Sequence, residues 1–92
     1  MITFNIAGFL TDFTGGRNQI TLDSLPATVA DGLGHLWDLH VGLRDRVVDE
    51  KGEVRLHVNI FLNNENIKHQ QALGTPLSEG DEITILPSVS GG

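Results

Sequence analysis

An α+β domain, with one main helix packed on one face of a mixed sheet of four to five strands, is the fold class this sequence predicts. Three observations predict it. Apolar and polar residues alternate near both ends of the chain and again in its middle, the period of a half-buried strand. One stretch between them, LPATVADGLGHLWDLH, has apolar residues at helical spacing instead. The length of 92 residues confines all of this to a single domain with a modest core.

The first strand is read in ITFNIAGFL, where Ile2, Phe4 and Ile6 alternate with Thr3 and Asn5. TGGR at residues 14–17 is a turn, because paired glycines supply positive φ. NQITLDSL resumes the alternation through Ile20 and Leu22, so the N-terminal unit is a hairpin with a long loop. The helix follows. Thr28 is its N-cap, with Asp31 three positions on near the positive helix end. Val29, Leu33, Leu36, Trp37 and His40 form its apolar face. Gly32 and Gly34 each cost about 1 kcal/mol relative to alanine, so packing has to hold this helix. Gly42 is the expected stop. LRDRVVDEKGE adds a short helical turn with Leu43 and Val47 inward, then a polar loop.

VRLHVNIFLNNENI is the strongest strand signal, with Val54, Leu56, Val58, Ile60 and Leu62 on one face. NNEN is a turn, and IKHQQAL is expected to hold a short strand. A further turn lies around Glu79, Gly80 and Asp81, and the last strand covers residues 82–86. Pro87 cannot donate to a sheet ladder and sits at that strand's end. The first and last long strands are expected side by side at the sheet centre, with the chain beyond Pro87 projecting from the sheet.

The net charge of -6 argues against a nucleic-acid binder, which presents a basic face. Without cysteine there is no disulfide framework, thiolate metal site or cysteine nucleophile. The opening MITFNIAGFL lacks the basic and long apolar regions of a signal peptide, and no run suits a membrane span, so a cytoplasmic location is expected. His35 and His40 are five positions apart, which spoils the i, i+4 pairing of zinc-binding helices, and no metal site is expected. TGGR and LGHL carry neither the Walker lysine nor a GxGxxG pattern, so no nucleotide loop is present. Trp37 is read as core or its rim. Asp45, Asp49, Glu50 and Glu53 are read as a solvated acidic face, or else as a face that steers a basic partner enzyme. No residue is assigned a catalytic role, because so small a domain has little room for a shielded cleft.

LSEGDEITILPSVSGG, with its EGDEI turn, apolar strand, Pro87 and final Gly91 and Gly92, resembles the C-terminal signature of the ubiquitin-like sulfur carriers. The element order matches over the whole chain. HVNIFLNNENI and the early TGGR turn resemble the cysteine-synthesis branch of that family in particular, and the chain length leans the same way. Ser88 and Ser90 depart from the family's more usual Pro or Ala, but both are small.

The resemblance implies a β-grasp domain over residues 1–87 and a flexible tail over 88–92. It implies that a separate ubiquitin-activating-type enzyme, using ATP and magnesium, adenylates the Gly92 carboxylate. A sulfur nucleophile then displaces AMP and leaves a thiocarboxylate. Gly91, Val89 and Pro87 would be the residues by which partners recognise the tail. Bare glycines suit a channel because they have no Cβ and reach backbone angles closed to other residues. The partners implied are a PLP-dependent cysteine synthase and a metal-dependent peptidase. The alternatives are the large subunit of molybdopterin synthase, or conjugation to lysines as a protein modifier. The carrier itself would bind no cofactor and act as a co-substrate.

Overall fold

Period-two alternation builds the sheet, and the computed structural model describes it within residues 1–87. The strands are β1 (Ile2–Ile6), β2 (Gln19–Leu22), β3 (Val58–Leu62), β4 (Glu65–Asn66) and β5 (Glu82–Pro87). Their order across the sheet is β2-β1-β5-β3-β4. β1 and β5 run parallel, with Phe4 opposite Ile83 and Ile6 opposite Ile85. The other pairings are antiparallel. Ile2, Phe4, Ile6, Val58, Ile60, Ile83 and Ile85 all point to one buried face. Helices α1 (Val29–Leu39) and α2 (Val41–Val47) cover that face. This is the β-grasp arrangement, with the first and last strands paired at the centre as the alternation suggested.

The Thr28 hydroxyl accepts from the Asp31 N–H at 3.3 Å and starts α1 as expected. Val29, Leu33 and Leu36 are buried, and Trp37 packs at the core's edge. Gly32 also faces the sheet. A Cβ there would stand 3.4 Å from both Ile2 Cδ1 and Leu77 Cδ1. Its missing side chain lets the helix lie close to β1, so this glycine is a packing device as well as a weak helix former. Gly34 has open space where its Cβ would be.

Four expectations are corrected. The first strand stops at Ile6, and a 3-10 helix over Gly8–Phe13 follows. Gly8, at φ +62°, turns the chain so that Leu10 enters the core. Gly42 does not stop a helix. α1 ends at His40, which leaves helical geometry at ψ 78°, and Gly42 sits inside α2. That break re-aims the chain so that Leu43 and Val47 are both fully buried.

The third correction concerns the central run. Leu56 is 93% exposed, not inward. Val54 bridges Val48, the Arg55 N–H donates to the Val47 carbonyl, and the Val58 N–H donates to the Arg55 carbonyl. The chain therefore turns through Leu56, and β3 begins only at Val58. Fourth, no strand forms in IKHQQAL. Asn63 adopts φ +58°, which suits a tight hairpin, so β4 pairs with β3 at once. The Asn66 side chain then accepts from the Lys68 N–H at 2.9 Å and starts a 3-10 helix.

Asp49 governs the loop between α2 and β3 instead of merely decorating an acidic face. One of its carboxylate oxygens accepts from the Glu53 N–H at 3.0 Å and the Lys51 N–H at 2.8 Å. The Glu53 N–H chiefly, with the Lys51 N–H and the charges of Arg55 and Lys51, holds its carboxyl below the ordinary carboxylate range. Among the described residues, no helix is long and apolar enough to cross a membrane.

Two predictions follow from this packing. Gly34→Ala should raise stability by up to about 1 kcal/mol, whereas Gly32→Leu should lower it by about 1–3 kcal/mol, both read by chemical denaturation. Equal effects would contradict the assigned helix face. Asp49→Ala should destabilise at neutral pH. Because the folded-state pKa is depressed, the gap to wild type is full above the ordinary aspartate value and closes as pH falls through the lower one. A gap that widened in acid would contradict the assignment.

Candidate functional site

β5 is the strand that leads to the C-terminal residues, and it has ladder partners on both sides. Its parallel partner β1 adds a hydrogen bond from the Ala7 N–H to the Ile85 carbonyl at 3.0 Å. On its other side β3 runs antiparallel, with Val58 opposite Pro87 and Asn59 opposite Leu86. Pro87 thus closes the strand, where a residue without an N–H is tolerated. Gly8 packs against it. A Cβ on Gly8 would come within 3.1 Å of Pro87 Cγ, so both its left-handed φ and its lack of side chain are needed.

The far end of β5 is tied separately. Gly80 turns at φ +87°. The Gly80 N–H donates to the Met1 carbonyl, and the Thr3 N–H donates to the Asp81 carbonyl. Asp81 accepts from the Ser78 N–H at 2.8 Å and from the Asn63 side-chain amide at 3.2 Å. The Asn63 side-chain oxygen accepts in turn from the Glu82 N–H at 3.1 Å. The Met1 amino group pairs with Glu79. The EGDEI segment therefore fixes the start of β5 against β1 and β3. Six strand residues at about 3.3 Å each place this turn roughly 15–20 Å from Pro87. Its observed role is to set the start of the strand.

Of the residues singled out from sequence, Pro87 lies at the end of β5, partly exposed. Leu86 lies on the sheet face away from the helices, also partly exposed. Val89, Gly91 and Gly92 lie outside the described residues. Near Pro87 the fold assembles residues to which the sequence reading gave no common role: it weighed Asp45 as part of an acidic face and His57 as one of four histidines considered for a metal, and passed over Phe9, Arg46 and Arg55. Gly8 packs on Pro87 and Val58 pairs with it; Phe9 follows Gly8 in the 3-10 helix, and His57 precedes Val58 just ahead of β3. With Asp45, Arg46 and Arg55, Phe9 and His57 line a groove of about 240 Å³. The one local signal was Gly8, a glycine inside an apolar run, which marks a bend or a close backbone approach. Nothing local joins Arg46 to Arg55, since the bridge between Val48 and Val54 brings them together.

A second hollow, of about 220 Å³, is lined by apolar residues including Val54, Val58, Ile60, Ile67 and Leu73. Glu53 and Lys68 also line it, but both are exposed, so water screens them and no shielded acid–base pair forms. Among the described residues, no three His, Asp or Glu side chains converge to hold a metal ion.

Comparison with known proteins agrees with this geometry. The model of the ThiS family matches residues 5–92. Sulfur carrier protein CysO of Mycobacterium tuberculosis is 34% identical over 95 aligned positions, covering 99% of this chain and 98% of that protein. Small archaeal modifier protein 1 of Haloferax volcanii is 37% identical over 84 positions, covering 90% and 91%. A chain of the Amycolatopsis orientalis BexX/CysO complex superposes with a TM-score of 0.87 at 29% identity, with full coverage of both chains.

Gly8→Ala tests the packing at Pro87. It should lower stability by about 1–2 kcal/mol, the cost of a left-handed residue with a Cβ. The Val58 and Leu86 amide resonances should shift with it. A variant of wild-type stability with unmoved resonances would contradict the contact.

Proposed function

The chain belongs to the ThiS family, and from that premise we propose that it is a sulfur carrier whose Gly92 carboxylate is the reacting group. The observation that most supports this reading is the full-length likeness to a sulfur carrier, joined to a fold in which a doubly paired central strand leads toward the final glycines. A carboxylate is unreactive toward nucleophiles because its leaving group would be oxide. An activating enzyme with ATP and magnesium converts it to an acyl-adenylate. A sulfur nucleophile then attacks the acyl carbon, the carbon–oxygen bond to AMP breaks, and a thiocarboxylate remains.

The chain is the co-substrate in these steps, and the catalysts are its partners. We place the sulfur in cysteine synthesis in the cytoplasm, accepted on a PLP-dependent synthase, with a metal-dependent peptidase freeing the product. Pro87, Val89 and Gly91 guide the end into each active site, and the glycines leave its walls unobstructed. Ordering such an end costs entropy, which contacts from the folded body must offset. A second reading rests on the likeness to a small archaeal modifier protein. In it a lysine amine takes the activated acyl group and forms an isopeptide.

Intact-mass spectrometry after incubation with an activating enzyme, ATP, magnesium and a sulfide source tests the proposal. Wild type should gain the mass of one oxygen-to-sulfur exchange. The variant ending at Gly91 should form no adenylate while melting at the wild-type temperature. Adenylation of that shortened chain would contradict Gly92 as the reacting end. A ladder of lysine adducts in cell extract, without the sulfur exchange, would favour the modifier reading.

A further inference from the structure

The groove beside Pro87 carries a charge opposite to that of the chain as a whole. The net charge is -6, with only six lysines and arginines in the sequence. Two of these six, Arg46 and Arg55, line this one groove with His57. Both guanidinium groups are held in place. Arg55 Nε donates to the Asp45 carbonyl at 2.8 Å, and the Arg46 guanidinium lies 4.7 Å from the centre of the Phe13 ring. Among the described residues no carboxylate forms an ion pair with either arginine, and the one acid in the groove, Asp45, pairs with Arg44. Phe9 is 53% exposed and adds an apolar wall.

We propose that this groove docks an acidic segment of a partner protein, one with an apolar residue beside its carboxylates, at the mouth of the channel that receives the chain end. This rests on the carrier reading above. Arginine is suited to the task, because its planar fork can take a carboxylate through two parallel hydrogen bonds. Exposed ion pairs usually contribute little, since two long side chains must be ordered. Here the receiving side is ordered in advance, which lowers that cost. The rest of the surface is acidic on balance and repels such a segment, so attraction is confined to one end of the molecule. Location selects the source of the segment. Residues 88–92 span at most about 17 Å when fully extended, so an enzyme holding Gly92 has its channel mouth within that reach of Pro87, which touches Gly8 and pairs with Val58, the chain neighbours of the groove residues Phe9 and His57.

Two measurements test this. In the first, a hexaglutamate peptide carrying one tryptophan is titrated into the labelled full chain at low salt. The amide resonances of Phe9, Arg46, Arg55 and His57 should shift, and the shifts should vanish in high salt. Unmoved resonances, equal shifts with hexalysine, or equal shifts with inorganic phosphate alone would overturn a protein-docking site.

In the second, the Arg46→Glu/Arg55→Glu pair is compared with Lys51→Glu/Lys68→Glu, which changes net charge equally elsewhere. The arginine pair should raise the KM for the chain in AMP-adduct formation roughly tenfold, the scale of electrostatic steering, with kcat nearly kept. The lysine pair should change KM less than about twofold. Equal changes in both would overturn the proposal. Peptide shifts in a wild-type chain that never forms an adenylate would instead bring down the carrier reading and leave the groove as an acidic-segment site.

Discussion

The parallel pairing of β1 with β5 is the interaction on which the rest of the structure depends. It joins the two ends of the chain at the sheet centre, so everything between them is one long closed loop. Closing that loop costs entropy that no local contact repays. The repayment comes from the shared buried face, where Phe4, Ile6, Ile83 and Ile85 meet the apolar side of α1 and α2. Once β5 is paired on both sides, its direction up to Pro87 is set. A carrier built this way needs no cleft of its own, since its body only has to hold one strand still.

Each end of β5 is secured by different means, and the difference separates structure from function. At Glu82 the fixing is polar: the Asp81 carboxylate, the Asn63 side chain and the positive φ of Gly80 join three chain segments. At Pro87 it is steric, with the side-chain-free Gly8 packed against the proline ring. Polar side chains are thereby kept off the strand end itself and gathered beside it, in the groove with Arg46, Arg55 and His57. On the proposed reading, an acidic protein with a basic groove near the end of β5 has a built-in way to orient its approach to a partner.

Much of this fold was legible because alternation and helical spacing are strong local signals. Ile2 to Ile6, Val58 to Leu62 and Ile83 to Ile85 read directly as strands, and Thr28 read directly as a cap. What could not be read depended on long-range geometry. Leu56 looked like a strand residue by alternation, yet the Val48–Val54 bridge turns the chain there. Gly32 looked like a helix defect until the sheet appeared 3.4 Å beyond it. Gly42 looked like a stop, but the need to bury Leu43 and Val47 carries a second helix through it. The same holds for function. The role proposed for the final glycines was read from sequence alone, whereas the groove that joins Arg46 to Arg55 exists only after folding.

Native-state hydrogen exchange tests most directly whether β5 is the fixed centre from which the chain end is offered. The amides of Ile83, Thr84 and Ile85 should exchange only through global unfolding, with the same free energy as chemical denaturation gives. Their protection should be unchanged in a chain ending at residue 87. Exchange of these amides through a lower-energy local opening, or its acceleration when residues 88–92 are removed, would contradict the account.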